Sequence, residues 1–221
     1  MSGVRPTTGC CLLAAVLLGS CSGARDVPAG SPDTGSAMPE EAPAPGSVFG
    51  RVPPETGGFA SIVMLEPEVP LELSGQADPP LMDQAGMAFY PKILIAHVGE
   101  PVRFRNSEDE LHNVRVYDSA TREPAFNVAT PIGGVYEHVF EKEGIYPVSC
   151  DIHPAMSATI IVVSTPYAMV ADPDGTFAFA DVAPGHYTVR IRNGGRWLER
   201  ELDVGSEGAE IVVDTMPPPS Q

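Results

Sequence analysis

An all-β fold built from two β-sandwich modules is what this sequence predicts, and three observations carry that reading. From residue 48 onward, short runs of β-branched and aromatic residues recur, separated by Pro, Gly, Asn and Asp. After position 60 no window of about eleven residues keeps a helical apolar period without a Pro or Gly interrupting it. Hydrophobic residues make up 43% of the 221-residue chain and charged ones 19%, which fits a protein that buries a core.

In chain order, the first 23 residues show Arg5, an apolar run from Cys11 to Leu18 and then small residues, the layout of an export signal. The run is too short to span a bilayer. Its end, "LLGSC", resembles the bacterial lipobox, which implies that residues 1–20 are a lipoprotein signal peptide and that Cys21 carries lipid. Ordinary secretion, with cleavage after Gly19-Ser20 or a little later, is the alternative. Either path places the mature chain outside the cytoplasm, and the lipobox implies a bacterial cell envelope location on the periplasmic side, anchored to membrane. Residues 21–47 are rich in Pro, Ala, Gly and acid with almost no large apolar side chain, so they read as a tether.

Strand signals then run through "SVFGRV", "ASIVMLE", "KILIAHVG", "PVRFRN", "HNVRVY", "GVYEHVFE", "GIYPVSC", "ATIIVVS", "GTFAFADV", "HYTVRIR", "WLERELDV" and "EIVVD". Residues 67–88 read as a long connection of low strand content, either functional or a boundary. The expected organisation is 48–66 as first strands pairing with the C-terminal module, 67–164 as one sandwich, 165–214 as the second and 215–221 as a tail.

The charge is −16, and −17 once Arg5 leaves with the leader, so nucleic acid is not an expected partner. Cys10 and Cys11 also leave with the leader, and with Cys21 lipidated only Cys150 remains in the folded part. An unpaired thiol in an oxidising compartment is a liability unless it is buried or held by a metal. "VSCDIHPAM", residues 148–156, places Cys150, His153 and Met156 at three-residue intervals after a strand. Type 1 copper takes two imidazoles and a thiolate in a plane with a weak axial thioether. His112, at the start of "HNVRVY", can supply the fourth donor from a neighbouring strand. Taken singly, a strand Cys and a nearby Met are ordinary core residues. As a cysteine hydrolase pair, Cys150 and His153 are poorly disposed, since no helix N-terminus activates the thiol.

At these residues the sequence resembles the cupredoxins. "FYPKILIAHVGEPVRFRNSEDELHNV" is similar to their strand, Val-Gly turn, strand ending in Asn, short loop and His-Asn, and "EKEGIYPVSCDIHPAM" to their closing strand and ligand loop. The resemblance covers residues 82–164 and implies a Greek-key β-sandwich with one copper held by His112, Cys150, His153 and Met156. It implies that Asn113 ties the two ligand loops together, and it puts Asp151 where the family often has a small polar residue. The Cys-x-x-His-x-x-Met spacing is the short version seen in amicyanin. His97 and His138 read as packing or surface residues, His186 follows a Pro-Gly turn, and none of the three is expected as a ligand. The acidic run "SEDE" at 107–110 reads as a solvated loop or as a docking patch for a basic electron carrier.

"ADPDGTFAFADVAPGHYTVRI" resembles the carboxypeptidase regulatory-like (transthyretin-like) β-sandwich in its Asp-Gly turn and Pro-Gly-x-Tyr corner. Residues 47–66 look like that module's first two strands, which would make the copper module an insertion; "ASIVMLE" as the first cupredoxin strand is the alternative. The combination resembles periplasmic plastocyanin-like proteins of the methylamine-utilisation-like kind, with Ala155 standing where that group often has an aromatic residue. The implied role is single-electron transfer to a redox partner protein such as a basic cytochrome, not catalysis. A copper carrier or sequestration lipoprotein without redox traffic is the second reading, and a scaffold lipoprotein whose copper cluster no longer functions is the third.

Overall fold

The computed structural model describes residues 46–55, 58, 60–73 and 78–218; Cys21, the leader and nearly all of the tether lie outside them. The described residues are all-β, with sixteen strands in four sheets. The first two strands, β1 (Val48–Arg51) and β2 (Ile62–Pro67), pair only with strands from the C-terminal part of the chain. β1 lies between β13 (Thr176–Phe179) and β16 (Ala209–Val212), and β2 between β12 (Tyr167–Val170) and β14 (Gly185–Asn193), which also pairs with β15 (Arg196–Val204). These two sheets enclose a core that includes Val48, Leu65, Phe177, Tyr187 and Ile191. At its edge Tyr187 donates its hydroxyl to the carbonyl of Ala183 at 2.7 Å, which pins the Pro-Gly corner.

The chain between β2 and β12 builds the other sandwich. One sheet has the order β4 (Ala88–Tyr90), β3 (Leu81–Ala85), β6 (Pro101–Asn106), β9 (Val135–Val139). The other has β5 (Ile93–His97), β11 (Ser157–Val163), β10 (Gly144–Ser149), β7 (His112–Tyr117), β8 (Pro124–Thr130). β3 with β6 and β5 with β11 are parallel pairs, the others antiparallel. Met82, Phe89, Phe104, Val114, Phe140, Val148 and Ile160 fill the space between the sheets.

Two runs in the sequence lack the usual apolar–polar alternation, and the packing explains both. In β11, Ile160 and Val162 face the core of their own sandwich while Ile161 and Val163 face the second one. In β2, Val63 and Leu65 point into their own core while Ile62 and Met64 meet Ile161 and Val163. Strands covered on both faces read as continuous apolar runs.

Four strands were not expected. β3 and β4 lie in or adjoin the supposed connection 67–88, and their pattern is masked by Gln84, a buried polar residue at a core-facing position. β8 is an edge strand whose period of two, Phe126, Val128, Thr130, is diluted by Pro124 and Asn127. β12 is only four residues long.

His138 packs as the alternation predicts, 4.5 Å from the ring centre of Phe126 and 4.7 Å from that of Phe140. Burial lowers its pKa below the ordinary imidazole value, against a smaller opposing pull from Glu141. The folded state therefore binds fewer protons than the unfolded one between the depressed value and about 6.5, and stability falls as pH drops through that window. We expect the pH dependence of the urea midpoint below about pH 6.5 to be shallower in His138→Gln. An unchanged slope would show that this imidazole charges without penalty in the folded protein.

Candidate metal centre

The site lies where two adjacent antiparallel strands meet. β7 begins at His112, and β10 runs against it with Val148 opposite Val116 and Ser149 opposite Arg115, so the residues after β10 come level with the first residues of β7. Cys150 follows β10 directly and is 2% exposed; His112 is fully buried. The loop 150–156 returns the chain to β11, closed by the Cys150 amide on the Met156 carbonyl at 3.3 Å and the Met156 amide on the His153 carbonyl at 2.9 Å. Met156 is fully buried in the same core cluster as Cys150.

Three side chains converge. The Cys150 Sγ lies 4.0 Å from His112 Nδ1 and 3.9 Å from His153 Nδ1, and the two Nδ1 atoms are 3.0 Å apart. The centre of a triangle with these sides is about 2.1 Å from each corner, the length of an imidazole or thiolate bond to a first-row metal. His112, Cys150 and His153 form the one such cluster among the described residues.

The hydrogen bonding of His112 turns one ring nitrogen away from that centre and leaves the other facing it. His112 Nε2 lies 2.6 Å from a carboxylate oxygen of Glu108, which only accepts, so Nε2 carries the proton and the lone pair of the neutral ring is on Nδ1, facing the cluster. Glu108 is itself fixed by the backbone amide of Met87 at 2.9 Å, at the left-handed tip of the β3–β4 hairpin, where Gly86 and Met87 have φ of 59° and 56°. That amide first, and His112 after it, hold the Glu108 carboxyl below its ordinary pKa. Glu110 approaches His153 Nε2 at 3.6 Å.

The loop carrying these acids is shaped by Asn106, whose buried side chain accepts from the Glu108 amide and donates to the carbonyls of Glu110 and Thr130. Thr130 in turn donates to Gln84 Oε1 at 2.9 Å. Asn113 joins the two ligand segments. Its Oδ1 accepts from the Asp151 amide at 2.7 Å and the Cys150 thiol at 3.3 Å, and its Nδ2 donates to Asn127 and Asp151. Asp151 also accepts from Arg115 at 2.9 Å, and that guanidinium, followed by Asn127, keeps its carboxyl below the ordinary value.

The structure thus brings together His112, Cys150 and His153, with Met156 buried in the same core cluster as Cys150 and with Asn113 and Asp151 linking the loops; Cys21 lies outside the described residues. Sequence reasoning missed Glu108, Asn127 and Arg115. The signal for Glu108 was its spacing of four before His112, hidden within an acidic run that reads as solvated surface. His97 pairs with Glu100, and His186 with Asp203 and Glu201, away from the cluster.

No family model and no curated protein matches the chain. Among solved structures, a methionine-to-alanine variant of amicyanin in the Cu(I) state matches at 23% identity and a TM-score of 0.36, over 46% of this chain and 98% of that one. A purple cupredoxin from Nitrosopumilus maritimus matches at 25% identity and a TM-score of 0.34, over 38% and 99%. A copper-containing nitrite reductase from Thermus scotoductus matches at 31% identity and a TM-score of 0.36, over 43% of this chain and only 25% of the reductase.

Proposed function

We propose that the chain is a type 1 copper protein that carries single electrons in the bacterial cell envelope, anchored through a lipid on Cys21. The observation that carries this reading is the triangle of two imidazole nitrogens and one thiol sulfur whose centre lies about 2.1 Å from all three, with Met156 buried in the same core cluster as Cys150. His112, Cys150 and His153 would hold copper there, with Met156 as a weak further donor, and the metal would supply a one-electron couple. The chain's own contribution is rigidity. Asn106, Asn113 and Glu108 fix the ligand segments through hydrogen bonds that need no rearrangement when the charge at the centre changes.

His153 is the ligand with a route to solvent, its side chain 22% exposed. Leu111 and Ile152, next to the two imidazole ligands, are exposed apolar residues, with Asp109 and Glu110 beside them. Exposed apolar residues next in the chain to both imidazole ligands, with acids preceding Leu111, suit a basic partner such as a cationic cytochrome, whose approach is accelerated by charge and slowed by salt. The second sandwich we read as a carboxypeptidase regulatory-like module that supports the copper module rather than reacting.

The test is titration of the leader-free chain with Cu(II). An intense blue absorption that saturates at one equivalent and bleaches with ascorbate is the expected result. Colourless binding assigns the chain to copper carriage instead, and no binding overturns the metal centre.

A further inference from the structure

The two sandwiches meet through Ile62 and Met64 on one side and Ile161 and Val163 on the other. Beside this contact a groove of about 1100 Å³ opens between them. Its apolar wall includes Ile62, Ile93, Ile161 and Val170, and its charged groups are three cations, Lys92, Arg115 and Arg192, against a single acid, Glu55. In a chain with 29 acidic and 13 basic residues, a cavity with that balance runs against the composition of the rest.

Arg192 is the informative member. It shares the outward face of β14 with Arg190, while Ile191 between them points into the core. Arg190 is fully engaged: Glu66 at 2.7 Å, Glu199 at 3.0 Å and the Trp197 ring at 4.8 Å. Arg192 makes no ion pair among the described residues, and its buried Nε has no hydrogen-bond partner. Burial also lowers its pKa with nothing opposing it. The other two cations are occupied, Lys92 by the Ser157 carbonyl at 3.1 Å and Arg115 by Asp151. A desolvated guanidinium donor left unpaired is a standing penalty that one carboxylate, accepting in the fork geometry, removes.

We propose that this groove binds a small amphipathic carboxylate, its charged end on Arg192 and its apolar body against Ile62, Ile93, Ile161 and Val170. One free guanidinium asks for one negative charge, and the volume accommodates a body of about ten carbons. The floor of the groove is made by Val148, Ser149, Ser157 and Ala158, the residues that flank the loop carrying Cys150 and His153, and Arg115 reaches from the groove to Asp151 at the base of that loop. The site itself does not rest on the copper reading.

Calorimetric titration of the metal-free, leader-free chain with decanoate, decanol and acetate tests this. Decanoate should bind saturably at one equivalent, with decanol and acetate failing to saturate. Arg192→Met should weaken decanoate about tenfold or more, and Arg192→Lys less. Amide shifts in the unaltered protein give a readout independent of folding in the variants, and decanoate should move Thr159, Val170 and Arg192 rather than the 106–112 loop. The proposal is overturned by absence of saturation, by decanol binding as well as decanoate, or by shifts confined elsewhere.

Discussion

Cys150→Ser is expected to remove the blue absorption completely while leaving the fold in place. This side chain has two separable roles. As a core residue Cys150 is 2% exposed and its thiol donates to Asn113 Oδ1 at 3.3 Å. A serine hydroxyl can make that hydrogen bond, so the penalty is only the transfer of a hydroxyl into a buried but partnered position, about 1–2 kcal/mol. As the proposed copper ligand, however, the thiolate would have no substitute, because a serine hydroxyl is not ionised near neutral pH and would give copper neither the soft donor nor the covalency of a Cu–S bond. The measurement is the visible spectrum at one equivalent of Cu(II) beside the thermal midpoint of the metal-free protein. Loss of colour with a preserved transition supports the thiolate centre. A blue protein lacking Cys150 would sink it, and a variant that fails to fold would return the residue to a purely structural role.

The parts of this molecule that were legible in the sequence are those whose signal is local. Cys150, His153 and Met156 lie within seven residues, on a loop whose ends are defined by a strand on either side, and His112-Asn113 opens another strand. What escaped is the layer that depends on distant pairing. Glu108 reaches His112 because the β3–β4 hairpin offers it the Met87 amide, 21 residues away in sequence. Gln84 occupies a core-facing position because Thr130, 46 residues later, donates to it, and a polar residue at such a position erases the alternation that would have revealed β3. Arg192 lies on the outward face of β14, and it is the second sandwich over that face that half-buries it. The doubly covered β2 and β11, by contrast, announce themselves, since burial on both faces leaves no room for polar positions.

The Asp-Gly turn before β13 supports a second prediction of large effect. Gly175 has a φ of +91°, and its carbonyl accepts the Val52 amide at 2.9 Å, so the turn is stitched to the end of β1 within the same sheet. A Cβ at this position would lie 2.0 Å from the Val52 carbonyl oxygen, a rigid backbone atom that cannot swing away. Gly175→Ala therefore combines a left-handed backbone penalty of about 1 kcal/mol with a displacement of β1 from β13, and a total loss of about 3 kcal/mol or more is expected. Gly194→Ala is the control: its φ is +55° and nothing lies within 4 Å of the added carbon, so it should show the backbone penalty alone. At about 2–4 °C per kcal/mol for a chain of this size, thermal unfolding should separate the two variants by several degrees. Equal losses would mean that β1 yields without resistance, and the close seating of the N-terminal strand on the Asp-Gly turn would then not be what holds the second sandwich together.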